Sequence, residues 1–183
     1  MKHRRFTASR LRLFAGVALL GLLSACSTVD RGRAPALEAN ASWAVLPFDN
    51  HTETPMAGSR AAAIASALLH ARGVGTVKRY TGDALQETLF DGRDAKRRED
   101  ALAWARNEGV RYALVGAVDE WRYKVGVDGE PAVGVALEIV DVGSGATVWS
   151  ATGGQSGWSR EALSAVGQKL IRNLLGTGLA NVR

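Results

Sequence analysis

The sequence is poor in the residues on which many catalytic and metal sites depend. Its 183 residues include a single cysteine, so no intrachain disulfide can form. None of its histidines, His3, His51 and His70, lies in a spacing typical of metal ligands. The segment 154–158 departs from the G-x-S-x-G nucleophile pattern because its last position is a tryptophan. The sequence therefore predicts neither catalysis nor a metal or organic cofactor.

A hydrophobic run of membrane-spanning length is also missing at the N-terminus. The apolar segment there covers residues 13–25, whereas a spanning helix needs ~20 residues. Basic side chains precede it, namely Lys2, Arg4, Arg5, Arg10 and Arg12. A basic region followed by a short apolar one predicts a secretory signal peptide over residues 1–25. An uncleaved N-terminal anchor is the alternative.

The apolar run ends in Leu23-Ser24-Ala25-Cys26, which resembles the lipobox of bacterial lipoproteins. The resemblance implies a diacylglyceryl group on the Cys26 thiol and an acylated amino terminus after cleavage. Three acyl chains, at ~0.8 kcal/mol per buried CH₂, anchor a protein stably. Ser27 follows, and by resemblance to enteric lipoproteins it implies transfer to the periplasmic face of the outer membrane. A buried cysteine at a helix end is the alternative.

The excess of positive charge belongs to the predicted signal peptide. The whole chain has 23 basic and 18 acidic residues, and the first 25 residues hold five basic and no acidic side chains. The remaining chain is therefore neutral. Nucleic-acid binding needs a clustered basic surface. We expect no nucleic-acid partner.

Residues 26–41 are small and polar without a hydrophobic period, and they predict a lipidated flexible tether. Residues 42–183 predict one periplasmic α/β domain. Its strands are expected at 43–48, 74–80, 110–124, 132–142 and 146–151, and its helices at 56–72, from 83, at 95–108 and from 159. A glycine-rich loop is expected at 153–157, and Trp158 is expected to pack on Leu163 as a hydrophobic staple. This order predicts an αβα sandwich with a mixed sheet and helices on both faces.

Three segments carry a family resemblance. They are 43–50, which reads WAVLPFDN, 108–118, which reads EGVRYALVGAV, and 139–150, which reads IVDVGSGATVWS. Together they resemble the α/β domain shared by the TolB N-terminal region, the CsgG curli secretion lipoprotein and the LpoB synthase activators. Within that group, the chain length, the lipobox and the tryptophan positions look most like the PelC family.

The PelC resemblance implies a lipidated, outer-membrane, homo-oligomeric ring that faces the periplasm. Such a ring guides a cationic, partly deacetylated exopolysaccharide toward an outer-membrane porin during biofilm formation. An LpoB-like module that activates a cell-wall synthase remains the alternative.

The strand end at Asp119, Glu120, Trp121 and Tyr123 is the candidate polysaccharide-guiding site. With a period of two, Asp119, Trp121 and Tyr123 share one face, where a carboxylate lies beside two aromatic rings. Rings stack on sugars and a carboxylate pairs with an ammonium group, so the cluster suits an amino sugar. The alternative is a capped strand end with Trp121 in the core.

Trp149 and Trp158 are the candidate membrane contacts, because tryptophan is enriched at the level of lipid headgroups. The segment Gly143-Ser144-Gly145 predicts a hairpin turn between the strands at 132–142 and 146–151. The PelC resemblance favours Trp149, which follows this turn. Cross-strand packing is the alternative for Trp149.

Overall fold

The computed structural model describes residues 27–38, 40–80, 94–126 and 129–182. Within these ranges, seven strands form one sheet in the order β1-β7-β6-β5-β2-β4, with β3 paired to β5. The elements are β1 (Ser27–Arg31), β2 (Trp43–Val45), β3 (Asp49–Asn50), α1 (Ala57–Ala71), β4 (Val77–Arg79), α2 (Asp94–Asn107), β5 (Tyr112–Tyr123), β6 (Pro131–Asp141), β7 (Thr147–Ser156) and α3 (Leu163–Gly178). Strands β2, β3, β4 and β5 pair in parallel, and β5, β6, β7 and β1 are antiparallel. The predicted mixed α/β sheet is confirmed.

The sheet buries its two faces to different extents. Helices α1 and α3 cover one face over a large core that includes Trp43, Leu114, Leu137 and Ile139. Helix α2 covers part of the other face over a smaller core built around Ala44, Leu46, Ala113 and Val115. We call these the two-helix face and the one-helix face.

Helix α1 packs closely on the sheet because its buried residues are small. Ala61, Ala62 and Ala65 are buried against the sheet. A Cβ atom added at Gly58 would lie 2.3 Å from the carbonyl oxygen of Phe48. A side chain at position 58 would therefore push the start of the helix away from the core.

The prediction of a flexible tether over residues 26–41 is wrong for the part that the structure describes. Residues 27–31 form β1, which pairs with β7 from Ser27↔Gln155 to Arg31↔Ala151. Leu37 is buried and forms an isolated bridge with Val182. Cys26 lies outside the described residues. An edge strand of this kind is held by its partner, so its own sequence needs little hydrophobic pattern.

The predicted glycine-rich loop at 153–157 is also wrong, because β7 continues to Ser156. A Cβ atom added at Gly153 would lie 2.9 Å from the Thr28 carbonyl oxygen, so glycine lets β1 approach. The last helix begins at Leu163 instead of Ser159. Trp158 does not act as a staple, since its side chain is 74% exposed. The helix predicted from position 83 lies outside the described residues.

Across the described ranges, no helix has both the length and the apolar character needed to cross a bilayer.

Candidate functional site

A β-bulge in β5 determines where the predicted site residues lie. Val118 pairs with Val135 and Glu120 pairs with Gly134, so Asp119 is an extra residue in the ladder. A Cβ atom added at Gly134 would lie 3.4 Å from the Glu120 Cβ and 3.8 Å from the Asp119 Cβ. Both carboxylates therefore lie on the one-helix face, which Gly134 shares. The predicted alternation of period two is wrong at this point.

Trp121 lies on the opposite side of the sheet from Asp119. Its side chain is 2% exposed and belongs to the core of the two-helix face. A Cβ atom added at Gly167 of α3 would lie 2.4 Å from the Trp121 ring, which shows how closely the helix packs on it. The prediction that Trp121 guides a polysaccharide is wrong for the folded subunit, because the ring is inaccessible.

Tyr123 shares the face of Trp121 but is half exposed. Its hydroxyl group accepts a hydrogen bond from the Leu163 amide at 3.1 Å and donates one to the Glu161 carbonyl at 3.2 Å. The phenol ring is thus fixed at the start of α3. Because Asp119 lies on the other face, these two residues do not form the single surface that the sequence predicted.

Asp119 forms an exposed pair with a histidine. Its Oδ1 atom lies 2.9 Å from the His51 Nδ1 atom, and the His51 and Asp119 side chains are 52% and 55% exposed. The parallel pairing of β3 with β5 brings the two together, since Asn50 lies opposite Val118. The carboxylate therefore remains accessible to a cation from solvent. Its role as a polysaccharide-guiding residue stays a prediction, as does that of Glu120.

Further carboxylates on the one-helix face are joined to arginines. Asp49 lies 3.1 Å from Arg97, Glu138 lies 2.8 Å from Arg98, and Glu120 lies 3.0 Å from Arg122. Both helical partners come from the first turns of α2. We call Asp49, Asp119, Glu120 and Glu138 the acidic band. Asp49 and Glu138 could not be grouped from the sequence, because their proximity depends on the order of β3, β5 and β6 in the sheet.

Trp149 is a core residue. Its side chain is 3% exposed, and a Cβ atom added at Gly178 would lie 2.7 Å from its ring. The prediction that Trp149 contacts the membrane is therefore wrong for the folded subunit, because the ring is buried under α3. Trp158 is accessible, and its membrane contact stays a prediction.

An open apolar groove lies between α1, the end of β5 and the start of α3. Its volume is about 560 Å³, which is in the range of ligand sites. Its walls come from both helices and β5, namely Arg60, Ala63, Ile64, Trp121, Tyr123 and Leu163. Beside it, the Lys169 ammonium group and the Trp158 amide bond the Glu161 carboxylate and lower its pKa. These bonds fix the loop that carries Trp158.

Chemical groups for metal binding are not gathered together in the described parts of the chain. No cluster of three or more histidine, cysteine, aspartate or glutamate side chains there could hold a metal ion. The accessible polar side chains described above are carboxylates and the arginine and histidine side chains that pair with them. Such an arrangement can bind cations and orient them along a surface.

Comparison with known structures first identifies the class of fold. The lipoprotein GNA1162 from Neisseria meningitidis shares 18% sequence identity, with a TM-score of 0.51 over 77% of this chain and 99% of that one. The fold is thus one also used by bacterial lipoproteins. No protein-family model and no curated protein sequence matches the chain.

A second comparison identifies the family. The PelC dodecamer from Paraburkholderia phytofirmans shares 43% identity and a TM-score of 0.72, over 86% of this chain and 99% of that one. A point variant of that PelC, also a dodecamer, shares 42% identity and a TM-score of 0.70, over 85% of this chain and 97% of that one. The chain belongs to the PelC family.

Proposed function

We propose that this protein is an outer-membrane lipoprotein that assembles into a homo-oligomeric ring and guides a cationic exopolysaccharide to an export porin. The observation that carries the proposal is 43% identity over 99% of a PelC chain whose structure is a dodecamer. Identity at that level over a whole domain supports a similar surface for self-association. The role consists of binding and guidance, without a catalytic step.

The exposed carboxylates supply the chemistry for guidance. Asp119 lies on a short bulge with a half-exposed side chain, and Glu120 follows it on the same face. In a ring, one such pair from each subunit is repeated around the passage, which focuses a negative field on a polycation. Local placement matters here more than the neutral net charge of the predicted mature chain.

Membrane attachment in this proposal comes from a covalent lipid on Cys26. The lipobox Leu23-Ser24-Ala25-Cys26 supports acylation, and Ser27 supports sorting to the outer membrane. Metabolic labelling with radioactive palmitate tests the first point. We expect label in the wild-type protein and none in Cys26→Ser. Label that persists in Cys26→Ser would contradict lipidation at this residue.

The mass of the detergent-solubilised lipoprotein tests the assembly. Native mass spectrometry is expected to give a uniform species of twelve subunits, as in the solved relatives. A monomer would overturn the ring and favour the LpoB-like activator described above.

Deletion of the gene should abolish exopolysaccharide export, and restoring the wild-type gene should recover it.

A further inference from the structure

The pair of His51 and Asp119 lies between two segments whose backbones are fixed. The His51 amide donates a hydrogen bond to the Val118 carbonyl at 2.9 Å, directly beside the bulge that carries Asp119. In the loop that follows, the Thr52 amide and hydroxyl both donate to the Asn50 Oδ1 atom, at 3.2 Å and 2.8 Å. The backbone thus places the imidazole beside the carboxylate, and little conformational entropy is lost when the two side chains meet.

This pair differs from the other ion pairs of the acidic band in its cation. Asp49, Glu120 and Glu138 each contact an arginine, whereas Asp119 contacts a histidine. A guanidinium group stays charged across the ordinary pH range, whereas an imidazole has an ordinary pKa of about 6.5. A carboxylate in contact with the ring favours its protonated form. Among the pairs of the band, this one alone has a cation that gains or loses its charge near neutral pH.

The protonation of His51 therefore decides the net charge of the acidic band. Four carboxylates face three guanidinium groups, so the band carries one net negative charge while the imidazole is neutral and none once it is protonated. In a ring of twelve subunits, as in the solved relatives, the same change is repeated twelve times. Charges of one sign that line a passage add to a common field, which acts on a polycation.

The remaining charged side chains on the elements around the pair are of other types. Besides the band and its arginines, the described residues there add Glu53 on the loop after β3 and Arg60 in the first turn of α1. Carboxylate and guanidinium groups ordinarily keep their charge near neutral pH. The second histidine of the described ranges, His70, lies in the last turn of α1, at the other end of that helix. A change of charge beside Asp119 near neutral pH is therefore assigned to His51.

We propose that His51 competes with a cationic polymer for the Asp119 carboxylate, and that the competition weakens as the pH rises. Below about pH 6 the imidazolium ion occupies the carboxylate, and an ammonium group of the polymer must displace it. Above about pH 7 the neutral ring donates one hydrogen bond from Nδ1, and the negative charge remains for the ammonium group. The inference deepens the proposed function and rests on the guiding role of Asp119.

A probe whose own charge does not depend on pH tests the competition. The probe is a trimethylated chitosan oligosaccharide, and calorimetry measures its affinity for the detergent-solubilised lipoprotein at about pH 5.5 and about pH 7.5 and at one low salt concentration. One exposed ion pair changes an affinity by up to about fivefold, and contacts with several subunits multiply the effect. We expect wild type to bind at least about fivefold more tightly at the higher pH.

Three variants assign that pH dependence to its residue. His51→Gln should bind with equal affinity at both pH values, at the level that wild type reaches at the higher one. His70→Gln removes the exposed histidine of α1 and is the matched control, so it should retain the wild-type pH dependence. Asp119→Asn should bind weakly at both pH values. Hydrogen exchange at the His51 ring C2 atom, followed by mass spectrometry in wild type, reports the protonation of the ring without any substitution.

The outcomes separate this inference from the proposed function. Equal binding by wild type at both pH values, with weak binding by Asp119→Asn, would overturn the competition and leave the guiding carboxylate in place. Binding by Asp119→Asn as tight as that of wild type at both pH values would overturn the guiding carboxylate and this inference with it. A pH dependence that persists in His51→Gln, or a His51 ring whose charge stays constant over that pH range, would overturn the role of His51 alone.

Discussion

The two faces of the sheet differ in what they carry. One face carries most of the buried core, and the other carries the exposed charged side chains. The two-helix face is covered by α1 and α3 and buries Trp43, Trp121 and Trp149 in one core. Among the described elements, α2 alone covers the one-helix face, over a smaller core, and beyond it lies the acidic band. The buried tryptophans of the two-helix face hold the fold together, whereas the exposed Asp119 carboxylate of the one-helix face remains accessible to a partner.

The largest effect is expected from truncating the two-helix face at Trp121. Trp121→Ala removes a buried ring against Gly167 and should lower the free energy of unfolding by about 3–5 kcal/mol. Denaturant unfolding followed by circular dichroism measures the change. Trp158→Ala, at a 74% exposed site, is the matched control and should change it by less than about 0.5 kcal/mol. Equal stability of both variants would contradict the division between the faces.

A smaller loss is expected from overfilling the same face. Gly178→Ala places a methyl group 2.7 Å from the Trp149 ring, and overpacking of this kind costs about 1–3 kcal/mol. The midpoint of thermal unfolding reports it. Gly126→Ala is the control, since a Cβ atom there meets nothing within 4 Å. If Gly178→Ala matched its control, Trp149 would not be tightly packed.

On the one-helix face, the ion pair between Asp49 and Arg97 should have an intermediate effect. Both side chains are mostly covered, at 22% and 17% exposed, so Arg97→Ala leaves a partly desolvated carboxylate. We expect a loss of about 1 kcal/mol in denaturant unfolding. The double variant with Asp49→Asn should recover part of that loss. No recovery in the double variant would mean that the arginine acts through its packing.

The smallest change in stability is expected at Asp119. Asp119→Asn keeps the shape of an exposed side chain and should alter unfolding by less than about 0.5 kcal/mol. Exported polymer should nevertheless fall several-fold, because a charge is lost from every subunit. Asp30→Asn, an exposed carboxylate on β1, is the matched control for surface charge. Full export by Asp119→Asn at normal protein levels would exclude a guiding role.

Much of the fold could be predicted because the long strands and helices show a clear hydrophobic periodicity in the sequence. The predicted bounds of β5, β6, α1 and α2 lie close to the observed ones. The mixed sheet followed from their order. These segments bury enough apolar surface to be recognised alone.

The errors arose where structure depends on a distant partner. Strand β1 and the glycine-rich half of β7 support each other, and neither has a hydrophobic period of its own. The extra residue at Asp119 changes the sheet face on which each later side chain of β5 lies. Hydrophobic periodicity in the sequence cannot reveal such an insertion. Trp121 and Trp149 were assigned to surfaces because a sequence does not show which helix will cover a strand.

The position of β1 at the edge of the sheet also orders the events of biogenesis. It is the first described strand to be synthesised, yet its partner β7 follows more than a hundred residues later. Contacts so distant in sequence form late, because a long loop must close first. The first described strand of the chain is thus the last to join the sheet. If Cys26 is acylated as proposed, the pairing of β1 with β7 would also fix the distance between the folded domain and its lipid.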